Sequence, residues 1–129
     1  MRKLTLLLLT LLLVIALLGC SASFSTNATN WNIGSQPRNL DENLTFNASR
    51  SFNVITLKAE VQLNSGDLTF TATDAAGNVL WTETVTPGQE LNETRQFDPD
   101  DHDSQGNWNL HIQANQVTGS ISFQWRSNR

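Results

Sequence analysis

The sequence predicts an all-β fold: an antiparallel β-sandwich, jelly-roll or Ig-like, of roughly six to eight strands behind a cleaved signal peptide. Three observations predict it. Apolar and polar residues alternate with a period of two from Leu44 onward. Turn residues interrupt that alternation at intervals of about 10 to 15 residues. No run after the first 20 residues shows the 3.6-residue apolar repeat of a helix.

The leader comes first. Arg2 and Lys3 give a positive start, and Leu4 to Leu18 carry no charge, interrupted only by Thr5 and Thr10. An apolar run of about 15 residues is short of the roughly 20 a spanning helix needs, and suits a signal peptide. It ends in Leu17-Leu18-Gly19-Cys20. Through these four residues the chain resembles the bacterial lipoproteins, with an aliphatic residue three before the cysteine and a small one directly before it. Leu18 is bulkier than the Ala, Ser or Thr usual at its position. The resemblance implies cleavage before Cys20 and a thioether from its sulfur to diacylglycerol. It places the mature chain, lipid-anchored and extracytoplasmic, at a bacterial cell membrane or outer membrane; beyond the diacylglycerol, and calcium as a weaker candidate, no cofactor is expected. An ordinary signal cut after Ala22 is the alternative. Four Asn-x-Ser/Thr sequons, at Asn27, Asn43, Asn47 and Asn92, would suit a eukaryotic secreted chain and are also expected by chance in a chain so rich in these residues.

Composition narrows the rest. Residues 20–129 are long enough for one domain. Without Arg2 and Lys3 the 8 basic residues fall to 6 against 12 acidic ones, a formal net charge of −6 for an acylated chain. That balance, with no basic patch, argues against nucleic acid. Cys20 is the only cysteine, so the domain folds without an internal disulfide.

Residues 20–43 read as the lipidated cysteine and a polar tether, rich in Ser, Thr and Asn. Trp31 and Ile33 can dock as a first short strand, and Gln36-Pro37-Arg38-Asn39 reads as a turn. Residues 44–129 read as the sandwich domain. Its longest alternation is Phe52 to Leu63, with Ile55, Leu57, Ala59, Val61 and Leu63 on one face and Thr56, Lys58, Glu60 and Gln62 on the other. Asn64 to Asp67 is a turn signal. Leu68, Phe70 and Ala72 then alternate with threonines, and Asp74-Ala75-Ala76-Gly77-Asn78 closes a hairpin. Val79, Trp81 and Val85 fall inward on the returning strand. Leu91 to Phe97 is a weaker strand, and Asp98 to Asn107 the longest polar loop. Trp108, Leu110, Ile112 and Ala114 share an inward face, Val117-Thr118-Gly119 turns the chain, and Ile121, Phe123 and Trp125 finish it.

Two of these stretches, Gly66 to Trp81 and Gly106 to Trp125, resemble the small β-sandwich accessory domains of secreted bacterial proteins, such as pre-peptidase C-terminal domains. The second joins Gly106-Asn107-Trp108-Asn109-Leu110-His111-Ile112 to the last alternating strand, Gly119 to Trp125. The resemblance implies a non-catalytic module and transfers no site residue.

Candidate sites are few. Asp98, Asp100, Asp101 and Asp103 form an acidic loop of the kind that binds calcium. The EF-hand spacing fails, because the twelfth position from Asp101 is Ile112; the plainer reading of the charges is a solvated turn. His102 and His111 are the only histidines, too few for a usual zinc set. No Gly-x-Ser-x-Gly elbow occurs. Glu60, Glu83, Glu90 and Glu93 could form a carboxylate pair only through the fold. Of the four tryptophans, Trp81, Trp108 and Trp125 keep phase with aliphatic neighbours and read as core. Trp31 does not, and is the candidate for an interaction surface or for docking the tether. The expectation is a membrane-anchored, extracytoplasmic, non-enzymatic binding or accessory module with an envelope protein as partner; the alternative is a calcium- or carbohydrate-binding sandwich.

Overall fold

The computed structural model describes residues 24–48, 54–98 and 106–128. They form five strands: β1 (Phe24–Ala48), β2 (Val54–Thr73), β3 (Val79–Val85), β4 (Leu91–Phe97) and β5 (Gly106–Asn128). All pairings are antiparallel: β1 with β5, and β2 with β3, β4 and β5.

Three of the five strands are far longer than the usual five or six residues, and each bends midway. The register of β1 on β5 shifts between Ile33 and Arg38, and that of β2 on β5 between Leu63 and Asp67. In β5 the bend holds Gln116 at φ 51° and Gly119 at φ 129°. Each long strand is therefore two arms, and eight segments result. One layer runs β1(24–33), β5(119–128), β2(54–63), β4. The other runs β1(38–48), β5(106–117), β2(67–73), β3. Two antiparallel layers of four in this order, with three strands crossing between them, make a jelly roll. The expected sandwich is thus the fold of the chain.

The core lies between the layers. Ile55, Leu57, Ala59, Val61 and Leu63 of one layer, and Leu68, Phe70, Ala72, Trp108, Leu110 and Ile112 of the other, are buried. Aromatic rings join the layers: Phe46 stacks on Trp125 at 5.9 Å, and Phe70 meets Phe123 at 5.0 Å.

The bends lock together at one end. A Cβ on Gly66 (φ 78°) would collide with the carbonyls of Asn115 and Gln116, and one on Gly119 with the carbonyl of Gln62. Ser65 Oγ lies 2.8 Å from Thr118 Oγ1, and Asn39 Oδ1 accepts the backbone N–H of Gln116 at 2.9 Å. All three bends and the 86–90 connection form this far end. The start of β1, the 74–78 hairpin, Asp98 and the end of β5 lie at the opposite, near end.

The structure corrects three expectations. Residues 24–43, expected as a tether with at most a short docked strand, belong to β1 and pair with β5 in both layers. A polar composition does not prevent this, because β1 is an edge strand whose N–H and C=O groups bond β5 regardless of side chain. Asn64 to Asp67 and Val117 to Gly119 do not end strands; they carry β2 and β5 from one layer to the other. Val79, expected inward, is 60% exposed. The register slips between Ala72, opposite Trp81, and Thr73, opposite Val79, and this turns Val79 out.

Candidate binding surface at the far end

Outward-facing residues of the first layer line up in rows across its strands. Asn32, Ser120 and Gln62 form one row, and Asn30, Ser122, Glu60 and Asn92 the next. Neighbouring strands stand about 4.8 Å apart, so the rows are ladders of amides, hydroxyls and carboxylates. At the far end they border three shallow recesses. One, of about 190 Å³, is lined by Glu60, Gln62, Glu90, Asn92 and Ser120. A second, of about 290 Å³, lies between Gln62, Asn64, Gly88, Gln89 and Glu90. A third, of about 400 Å³, is bordered by Asn32, Gly34, Gln62, Asn64 and Ser120. Gln62 lines all three, so they form one polar shelf around it.

The shelf is rich in groups that both donate and accept. Side-chain amides of Asn and Gln, with carboxylates beside them, match neighbouring hydroxyls of a ligand. Glu60 is paired with Lys58, whose Nζ lies 2.7 Å from Oε1, an exposed bridge of small energetic weight. Of the four glutamates noted in the sequence, Glu60 and Glu90 come together here. Glu93 binds Arg95 Nε at 3.1 Å, and Glu83 accepts the indole N–H of Trp81 at 2.9 Å.

The aromatics take other roles. Trp81, Trp108 and Trp125 are buried, as their phase predicts. Trp31, the binding candidate, is half-buried, packed against the core and opposite Ile121. That packing docks β1 on the sandwich and leaves only part of the ring open. Asp98 is exposed at the near end. Cys20 and the rest of the acidic candidates, Asp100, Asp101 and Asp103, lie outside the described residues. Among the described residues no three His, Cys, Asp or Glu side chains gather to hold a metal. His111, on the polar face as expected, places Nε2 2.6 Å from Asp41 Oδ1.

No protein-family model matches the chain, and no curated protein does. Solved structures similar to it include a chain of the Bacillus endospore appendages that form disulfide-linked pili, 13% identical over 82% of this chain and 87% of its own, with a TM-score of 0.43. The C-terminal domain of the BC2L-C lectin from Burkholderia cenocepacia is 14% identical over 67% of this chain and 97% of its own, with a TM-score of 0.47. A chain from a study of CBM4 structure and function is 11% identical over 84% and 78%, with a TM-score of 0.44. Likenesses this distant carry no function to this chain.

Sequence reasoning did not single out Gln62, Asn64 or Ser120 as site residues, and noted Asn92 only as a sequon. On one strand each is an ordinary outward polar residue. Only the pairing of β2 with both β4 and β5, and the closing of the bends, brings them together.

Proposed function

We propose that this chain is a bacterial lipoprotein: a non-enzymatic binding module held outside the membrane by acyl groups on Cys20, presenting the far-end shelf to a partner in the cell envelope. The observation that carries the binding role is the shelf itself, three recesses joined through Gln62. The leader ending in Leu17-Leu18-Gly19-Cys20 supports the anchor. Two or three acyl chains, at about 0.8 kcal/mol per buried methylene, hold a protein stably where one chain would be marginal.

The ligand class that the shelf favours is a polyhydroxylated one, a glycan strand of the envelope. Amide ladders suit hydrogen bonding along an extended sugar chain better than stacking on a single ring.

The test has two parts. Full-length protein made in a bacterium is labelled with palmitate, alongside Cys20→Ala; label on the parent and none on the variant is expected, and label on Cys20→Ala overturns the anchor. Purified protein is then sedimented with isolated cell-wall sacculi. Binding that is lost in Gln62→Ala and Asn92→Ala, with unchanged melting, supports the shelf. Binding that survives both substitutions, or none by the parent, overturns the glycan reading. In the latter case crosslinked capture of one reproducible envelope protein, lost in the same variants, would keep the shelf as a protein-docking site.

A further inference from the structure

We infer that the near end of the jelly roll rests on the membrane that carries the anchor, with the 74–78 hairpin and Val79 at the bilayer surface and the far-end shelf pointing away. This rests on the acylation of Cys20 proposed above. Three residues separate Cys20 from Phe24, the first residue of β1. Four Cα–Cα steps, fully extended, span at most about 14 Å. Because β1 is paired with β5 from Phe24 onward, no long tether lies between lipid and domain. The first arm of β1, 24–33, then runs about 30 Å away from that point at roughly 3.3 Å per residue. The acyl groups are thus tied to the end that holds Phe24, Asn128 and Val54 in one register row.

The surface of that end fits the placement. Val79 is 60% exposed and is the exposed large apolar side chain among the described residues. It stands beside the exposed Ala75, Ala76 and Gly77 of the hairpin. The far end, by contrast, is lined by amides and carboxylates. Asp98 stands exposed at the near end, and its charge makes an uncharged or zwitterionic interface a better fit than a strongly anionic one. Lying flat on either layer would instead press rows of Thr, Asn and charged side chains against the bilayer and cover Gln62 or His111.

Site-specific quenching tests this on the whole acylated chain. Ala76→Cys, Thr94→Cys and Gln89→Cys place one fluorophore each at the near tip, on the first layer's outer face and at the far end. Cys20 is blocked by its thioether. The proteins are reconstituted in phosphatidylcholine vesicles bearing a headgroup-level quencher, and mass spectrometry reports the acyl groups. Quenching several-fold stronger at position 76 than at 94 and 89 is expected. Equal quenching at 76 and 89, or the strongest at 94, on an acylated chain overturns the orientation alone. A chain without acyl groups overturns the anchor and the orientation with it. Melting curves of the three variants exclude misfolding as the cause.

Discussion

Trp108 and Trp125 stand on the same strand, β5, yet meet edge to face across the core, with ring centroids 6.2 Å apart and planes at 75°. They can do so because β5 bends between Ala114 and Gly119 and puts Trp108 in one layer and Trp125 in the other. Both rings are fully buried, and Phe97 and Phe46 close the cluster at 6.2 Å from Trp108 and 5.9 Å from Trp125. The bend thus lets one strand supply facing rings to both layers.

Trp108→Ala is therefore expected to lower stability by about 3 to 5 kcal/mol, the range for removing a large buried aromatic. Trp125→Ala should cost about as much and also leave the Leu44 carbonyl without its 3.3 Å bond from Trp125 Nε1. Losses in the double variant should fall short of the sum, with a coupling of about 0.5 to 1.5 kcal/mol for the ring pair. Urea melts of the four proteins check this, and strict additivity would mean that the rings do not support each other.

The interlocked bends make a second prediction. Gly66 and Gly88 both have positive φ, 78° and 85°. A Cβ on Gly88 meets nothing within 4 Å, whereas one on Gly66 runs into backbone carbonyls of β5. Gly88→Ala should cost only the conformational term, roughly 1 to 2 kcal/mol. Gly66→Ala must also push two strands apart and should cost well more. Equal losses in thermal melts would show that the bends of β2 and β5 do not nest.

These glycines also show where the sequence is legible. Alternation picks out most of the core, from Ile55 to Leu63 and from Trp108 to Ala114, because a strand with one buried face writes a period of two into its residues. Turn chemistry picks out the 74–78 hairpin for the same local reason. Gly66 and Gly119 read as turn residues too, but a turn that ends a strand and a bend that carries it into the next layer use the same residue types. The difference lies in partners far along the chain, Asn115 and Gln62. Residues 24–43 are misread for a related reason: an edge arm held by backbone bonds needs few apolar side chains, so its composition resembles a tether. The shelf is the least legible part, since Gln62, Asn92 and Ser120 come from three strands and each alone is an ordinary solvated position.

The hairpin at the near end depends on Asp74. Its side chain is buried, and Oδ1 accepts the backbone N–H groups of Ala76 at 3.0 Å and Asn78 at 2.9 Å, while Oδ2 accepts Asn78 Nδ2 at 3.1 Å. Asp74→Ala removes these charge-assisted bonds across the turn and should cost about 1 to 3 kcal/mol. Asp74→Asn keeps an oxygen in the Oδ1 position and should lose less. Hydrogen exchange at residues 74–79 provides the local readout: protection should drop sharply in the alanine variant and partly in the asparagine one. Unchanged exchange in Asp74→Ala would mean that the turn is held by its two backbone bonds, Gly77 N–H to the Asp74 carbonyl and Asp74 N–H to the Asn78 carbonyl.

Arg95 closes the open side of the sandwich between β4 and β3. Its guanidinium lies 4.3 Å from the Trp81 ring centroid, so a cation of one layer covers the aromatic face of the other. The same Arg95 bonds Glu93 at 3.1 Å, but both side chains are about two-fifths exposed, and an exposed pair contributes little. The cation–π contact, worth about 0.5 to 1 kcal/mol at such a site, should dominate. Arg95→Gln should accordingly lose about that much stability, and Glu93→Gln should lose less. The two terms separate with salt: screening weakens the ion pair and leaves the shielded ring contact largely intact. Thermal melts in low and high salt check both. A loss in Arg95→Gln that vanishes at high salt, matching Glu93→Gln, would assign the stabilisation to the ion pair and leave Trp81 merely covered by the arginine stem.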